Sequence, residues 1–422
     1  MPKNTLGEEA PVAEPRRSPL RAMWLLGPAL VAGVAYLDPG NVASNMTAGA
    51  RYGYLLVWVV LAGNIMAWLI QYLSAKLGVV TGQSLPEVLG TRIRNRWARR
   101  AYWLQAELVA MATDIAEVLG GAVALYLLFD IPLLLGGTIT GAVSIALLAV
   151  HSRRGPRHFE FVIIALMLII VVGFVAGLFV APPDPAGVVG GMLPRFADSG
   201  SVLLAASILG ATIMPHAIYA HSALARDRFS GVHDPNPPSI RTLLAATRWD
   251  VTIAMVIAGS VNLAILLLAA ANLAGVEGTD SLEGAYAAIS ENLGAVIGTL
   301  FAVGLLASGL ASTSVGAYAG AEIMHGLLTV RIPLLARRLV TLIPALVILG
   351  IGFDPTLALV LSQVVLSFGI PFALVPLVAL TSQRRTLGVH ANRHVTTILG
   401  ILFAALLIAL NAVLLWLVAT GT

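Results

Sequence analysis

Two short motifs interrupt otherwise apolar stretches of this 422-residue chain: Tyr36-Leu37-Asp38-Pro39-Gly40-Asn41 and Ala211-Thr212-Ile213-Met214-Pro215-His216. Proline removes a backbone donor and glycine loosens the turn, so a helix running through either motif unwinds there and releases carbonyl oxygens. Around the two breaks stand the Asp38 carboxylate, the Asn41 amide oxygen, freed carbonyls near Ala35 and Ala211, and the Met214 thioether. Oxygen donors alone suit Na⁺, Mg²⁺, Ca²⁺ or Mn²⁺. A thioether is soft and gives more to later first-row ions, so the mixed set points to Mn²⁺, Fe²⁺ and their neighbours. One carboxylate without a thiolate makes a site that can also let go. Taken singly, each proline is a packing kink and Met214 a gap-filler. Asp38 changes that weighing, because a charge at the bilayer centre costs roughly 3 kcal/mol or more and marks function.

A second set of reactive groups lies on one later stretch. Glu107, Asp114 and Glu117 sit inside an apolar run, and their spacings of seven and three put them on one helix face. Three acids are untenable against lipid, so that face looks inward. Arg337 and Arg338, with His216 and His221, are candidate partners. Acid–His–Arg arrays of this kind relay protons in transporters. Ion pairing that merely locks helices together is the alternative. A proton route apart from the metal site is physically reasonable, since a proton and a dication repel.

The elements that must hold these groups are membrane helices. Hydrophobic residues make up 58% of the chain and charged ones 11%, with a mean hydropathy of +0.90. A water-soluble fold needs far more charge outside. Apolar runs of about 20 residues recur, the length of a bilayer crossing. They predict spans near 23–50, 54–78, 98–128, 132–150, 159–180, 201–228, 242–273, 294–328, 334–351, 355–380 and 395–418. The first 22 residues are polar and Pro-rich, lack a cleavable signal pattern, and read as a disordered cytoplasmic tail.

With that tail inside, 23 of the 25 Lys and Arg residues fall on cytoplasmic loops or adjoining helix ends. Only Arg51 and Arg195 fall outside, which fixes the orientation by the positive-inside rule and leaves the carboxyl terminus outside. The net charge of +4 therefore answers to topology, not to nucleic acid. Cysteine is absent, which removes disulfides and thiolate metal ligands. Outer loops carry Asp130, Asp184, Asp198, Glu277, Asp280, Glu283, Glu291 and Asp354, which enrich cations modestly or are simply solvated. The two breaks fall in spans one and six. That spacing is expected of inverted repeats whose discontinuous helices meet at a midplane site, here 23–180 and 201–380, followed by an eleventh helix at 395–418.

The pair Asp38-Pro39-Gly40-Asn41 and Met214-Pro215-His216 resembles the two signature motifs of the Nramp family of proton-coupled divalent-metal transporters. The resemblance runs over about residues 20–420, with eleven spans as in bacterial members. It implies an all-α, LeuT-like membrane fold of two inverted five-helix repeats plus one helix, in a bacterial inner membrane. It implies metal ligation by Asp38, Asn41, Met214 and the Ala211 carbonyl, with the Ala35 carbonyl and Gln363 joining in some states. It assigns proton movement to Asp38, His216, Asp114, Glu117, Arg337 and Arg338, with Glu107 further along. The expected cargo is Mn²⁺ or a similar divalent transition metal together with H⁺. No cofactor, enzymatic step or obligate protein partner is implied beyond the lipid bilayer.

Gly309, Ser312, Thr313, Gly316, Tyr318, Ala319, Gly320, Met324 and Gly326 resemble the family's eighth-helix motif, from which the chain departs at Leu310 and Ala321, where many members carry Gln. Ser308, Ser312, Gly316 and Gly320 form a small-residue stripe read as close helix packing. Competing readings are a Na⁺-coupled amino-acid symporter of the same architecture, which Asp38 disfavours, and a magnesium-transporting relative, which Met214 disfavours. The sequence has neither a pair of aspartates on adjacent spans nor a His-Glu-x-x-His helix, as an intramembrane protease would need. A passive channel fits the two breaks and the charged face less well.

Overall fold

The computed structural model describes residues 27–154, 156–230, 238–329 and 334–420. The tail expected over 1–22 lies outside the described residues, as does Arg331. Among the described residues are fifteen helices of eight residues or more. They run in order as α1 (Pro28–Ala35), α2 (Pro39–Tyr52), α3 (Val57–Thr81), α4 (Leu85–Arg92) and α5 (Arg96–Phe129). Then come α6 (Leu133–Arg154), α7 (Pro156–Val180), α8 (Ser199–Thr212), α9 (Pro215–Ser230) and α10 (Ile240–Asn272). The last are α11 (Leu282–Leu293), α12 (Ala295–Leu328), α13 (Leu334–Gly350), α14 (Pro355–Ser382) and α15 (His394–Thr420).

Helix starts follow local chemistry. Asp38 caps α2 by accepting from the Asn41 N–H, with Pro39 in the first turn, where its missing donor costs nothing. Ser84 and Glu87 form a reciprocal capping box on α4, and Asp198 with Ser201 forms one on α8. Asn95 caps α5 through the Trp97 and Ala98 N–H groups.

Eight stretches among the described residues are long and apolar enough to cross a membrane. One of them, Ser199–Phe229, contains the break between α8 and α9. Of the other expected spans, the first is divided into α1 and α2, the fourth is α6, and the ninth is the 17-residue α13. Leu168, Phe179, Val340, Ile343, Ile401 and Leu415 stand exposed on the outside of the bundle, as lipid-facing side chains must.

Packing between helices is reciprocal. α2 lies on α10, and α9 lies on α3; α5 lies on α14, and α12 lies on α7. α5 with α12 and α6 with α13 complete the pattern. Matching the first five expected spans to the second five exchanges the members of each pairing, so the two halves are built alike.

Contacts are close where glycine permits. A Cβ on Gly49 would strike the Leu266 carbonyl and the Ala269 side chain of α10, and one on Gly326 would strike Pro86 and Glu87 of α4. Where lipid replaces water, such close van der Waals contact is what associates helices.

Candidate functional site

Both breaks arise from the same backbone arithmetic. In an unbroken helix the Ala35 carbonyl would accept from residue 39 and the Ala211 carbonyl from residue 215, and both of those residues are proline. Each carbonyl therefore loses its helical donor.

At the first break the chain tightens instead. The N–H groups of Tyr36, Leu37 and Asp38 bond three residues back, at 3.1, 3.0 and 3.2 Å, so Ala35 O accepts from Asp38. The other freed carbonyls are taken by neighbouring spans: Asn262 donates to Tyr36 O at 3.0 Å, and Ser308 donates to Leu37 O. At the second break Ala211 O finds its donor across the bundle. The Asn41 side-chain amide donates to it at 2.8 Å.

The two breaks thus meet, and Gln363 of α14 closes the cluster. Its Nε2 donates to Asp38 Oδ2 at 3.1 Å, while Asp38 Oδ1 accepts from the Asn41 N–H at 2.8 Å. Asp38, Asn41, Ala211, Met214 and Gln363 are all fully buried. Met214 stands three residues along the same break from Ala211, in the core. Glycine makes the approach possible: a Cβ on Gly40 would overlap the Gln363 amide, one on Gly210 the Gln363 carbonyl, and one on Gly120 the ring of Pro39.

The acids of α5 face inward, as their spacing predicts. Arg338 is fully buried and donates through Nη1 to Asp114 Oδ1 at 2.8 Å and to Glu117 Oε2 at 3.4 Å. Its Nε reaches Ser144 Oγ at 3.0 Å and its Nη2 reaches Thr313 Oγ1 at 3.3 Å. Arg337 pairs with Glu107 at 2.9 Å and lies 3.7 Å from Asp114. Three carboxylates thus share two guanidiniums, which leaves the group one negative charge in excess when all are ionised. His216 joins from the side of the second break, with Nδ1 3.1 Å from Thr113 Oγ1, the neighbour of Asp114. The charged line therefore starts one residue beyond the α9 proline and ends at Arg337 and Glu107.

One sequence expectation needs correction. His221 does not meet the acids of α5. Its Nδ1 lies 2.7 Å from Gln71 Oε1 of α3, and Gln71 in turn donates to Tyr36 OH. Asn272 donates within its own helix to Leu268 O at 2.9 Å, whereas Asn411 crosses to Ser367.

The small-residue stripe on α12 also has a sharper purpose than packing. A Cβ on Gly316 would lie 2.9 Å from Glu117 Oε1, and one on Gly320 would land on the Arg337 guanidinium. These glycines open the space in which the ion pairs sit. The supporting residues Gln71, Thr113 and Ser144 carry no sequence signal, because single polar residues on apolar helices do not announce their partners.

Comparison with known proteins agrees with this architecture. Residues 29–417 match the family described as Nramp, Natural resistance-associated macrophage protein-like. The "Divalent metal cation transporter MntH" of Mycobacterium tuberculosis strain H37Rv is 59% identical over 411 residues, covering 97% of this chain and 95% of the relative. The protein of the same name from Bacillus subtilis strain 168 is 46% identical over 392 residues, covering 92% and 91%. Among solved structures, the manganese transporter of Eremococcus coleocola superposes with a TM-score of 0.83 at 31% identity, covering 95% of this chain and 88% of that one. MhsT in complex with L-phenylalanine gives 0.59 at 13% identity, covering 94% and 98%, a likeness of fold alone. The fold is LeuT-like, and the chain is a multi-pass membrane protein that belongs to the Nramp family.

Proposed function

We propose that this chain imports divalent transition metals, Mn²⁺ first and Fe²⁺ with it, by alternating access coupled to protons. The observation that carries the reading is the meeting of the two breaks through Asn41, Ala211, Asp38 and Gln363, buried together in the bundle. Relatives named as divalent metal cation transporters and a manganese transporter of the same fold support it.

In this reading Asp38 and Asn41 give oxygen, the Ala211 carbonyl gives a third donor and Met214 gives sulfur, with the Ala35 carbonyl and Gln363 entering in some states. The present hydrogen bonds are those an ion would replace. Asn41 now offers its NH₂ to Ala211 O, so ligation through the amide oxygen requires that side chain to turn. Gln363 now donates to Asp38, and it ligates only once its oxygen, which has no hydrogen-bond partner, is presented.

Protons follow the separate line through Asp38, His216, Asp114, Glu117, Arg338, Arg337 and Glu107. His221, tied to Gln71, stands beside it as a link in the α3–α9 contact. The topology that fits is eleven crossings of a bacterial inner membrane, with the amino terminus in the cytoplasm and the carboxyl terminus outside. Residues 1–22 form the tail, 23–180 and 201–380 the inverted repeats, and 395–418 the last helix. No enzymatic step, resident cofactor or obligate protein partner enters the reading.

A LeuT-like fold is shared with transporters of organic solutes, so the fold leaves the cargo open and the donor set chooses it. The test is uptake by proteoliposomes that hold a pH reporter. Mn²⁺ entry with internal acidification is the expected result; alanine uptake without metal entry overturns the reading.

A further inference from the structure

A cavity of about 420 Å³ opens beside the far end of the charged line, with Arg337, Glu322, His325, Arg226 and Glu87 on its walls. It lies at the end of the bundle where Arg92, Arg94, Arg96, Arg99 and Arg100 cluster, the cytoplasmic end by the positive-inside rule. A polar space of that size readily holds water.

We propose that this cavity is the cytoplasmic mouth of the proton path and that Glu322 is the acid that receives the proton there. The inference rests on the coupled transport proposed above and extends it to residues outside that line.

The geometry supports the role in three ways. First, the cavity touches Arg337, the last guanidinium of the line, which holds Glu107 at 2.9 Å and lies 3.7 Å from Asp114. Arginine keeps its own proton, so the proton passes between carboxyls. It leaves Glu107 or Asp114, crosses cavity water, and arrives on the Glu322 carboxylate, while Arg337 stays charged.

Second, Glu322 is the loosest of three acids gathered on one cation. Arg226 lies 2.7 Å from Glu87, 2.7 Å from Asp227 and 3.2 Å from Glu322. Glu322 Oε2 is buried and accepts no aligned hydrogen bond. With three carboxylates on one guanidinium, one acid can take a proton and leave the cluster balanced closer to neutrality.

Third, Glu87 is held charged. Burial pushes its carboxyl up, but the Ser84 N–H and Arg226 together outweigh burial and keep it below the ordinary range. The groups that face Glu322 are Arg226 and Asp227 from α9, Glu87 from α4 and Arg337 from α13, with Tyr318 and His325 on its own helix. Tyr318 donates to Asp227 at 2.8 Å, and Glu322, part-buried, lines the cavity beside Arg337.

A structural role for Glu322, clamping α12 to α9 through Arg226, is the competing account, and the measurement must separate the two. Proteoliposomes with Mn²⁺ as substrate and a trapped pH dye give the ratio of proton to metal entry. Wild-type protein must acidify first; Mn²⁺ entry without acidification would remove the coupled reading itself. Given acidification, Glu322→Gln is expected to lower that ratio, because the amide cannot take up a proton. Glu322→Asp restores it, because the carboxylate returns. An unchanged ratio in Glu322→Gln overturns the proposal, as does an equal fall of metal and proton entry, which is what a lost clamp produces. Should Glu322→Gln not reach the membrane, Glu322→His supplies the second test. It keeps a titratable group and moves the pH midpoint of coupled uptake toward neutrality; an unmoved midpoint overturns the proposal.

Discussion

The Asn41 amide donates to the Ala211 carbonyl at 2.8 Å, a bond between residues 170 positions apart that joins the two helix breaks. The Ala211 carbonyl would not be free in a regular helix. Pro215 deprives Ala211 of its helical donor, and Pro39 turns the chain so that Asn41 points across the bundle. The two prolines therefore create a polar contact where the membrane offers no water, and a cation that took the Ala211 carbonyl would require the Asn41 side chain to turn its oxygen inward.

Asp38 supplies the only formal charge in this cluster. Asp38→Ala should reduce Mn²⁺ affinity, measured by calorimetry on purified protein, by more than about a hundredfold, beyond what loss of an outer-shell contact does. Asp38 also caps α2, so helicity must be checked in parallel. Retained affinity in a folded variant would count directly against the site.

Met214 tests the choice of metal rather than its binding. Met214→Ala leaves oxygen donors in place, so Mn²⁺ transport continues while rejection of Ca²⁺ and Mg²⁺ weakens by about tenfold, or about 1.4 kcal/mol. Truncating a buried methionine also opens a cavity, so Met214→Leu is the cleaner companion, keeping volume and removing sulfur. Competition uptake with both variants decides the matter. Unchanged selectivity in both takes the thioether out of the account.

These features are legible in the sequence because proline, glycine and aspartate are conspicuous inside apolar spans. The inward face of α5 is legible for a similar reason, since acids at spacings of seven and three cannot face lipid. Other features have no such signature. Asn262 and Asn272 look alike in sequence, yet one crosses to Tyr36 O and the other folds back on its own helix. His221 stands five residues from His216 but turns to Gln71, because only tertiary packing decides which neighbour an apolar helix shows to a lone imidazole. Gly316 and Gly320 fit a packing stripe equally well whether they meet a leucine or an arginine.

Asp114 separates relay from lock. Its carboxylate holds Arg338 at 2.8 Å, and Arg338 keeps Glu117 only at 3.4 Å. Asp114→Asn removes the charge but keeps the shape. It should impair proton entry more than metal entry in the proteoliposome assay, because the hydrogen bonds that join the two breaks run through Asn41, Ala211 and Gln363 rather than through Asp114. Breaking a buried pair costs about 3–5 kcal/mol when one charge is left alone, although Glu117 remains beside Arg338 to limit that here. Equal losses of both fluxes would favour the lock.

Gly320 offers a test that touches no titratable group. A methyl added there would land on the Arg337 guanidinium, and overpacking of a tight interior costs about 1–3 kcal/mol. The arginine is the part able to move, so Gly320→Ala should push Arg337 off Glu107 and leave the breaks at Asp38 and Met214 undisturbed. Mn²⁺ binding by calorimetry should then stay near the wild-type value while acidification during uptake falls. Gly316→Ala, whose methyl would sit 2.9 Å from Glu117 Oε1, presses on a carboxylate with less overlap and should act in the same direction more weakly. If Gly320→Ala acidifies like the wild type, then Arg337 can be displaced without consequence, and the line through it carries no protons.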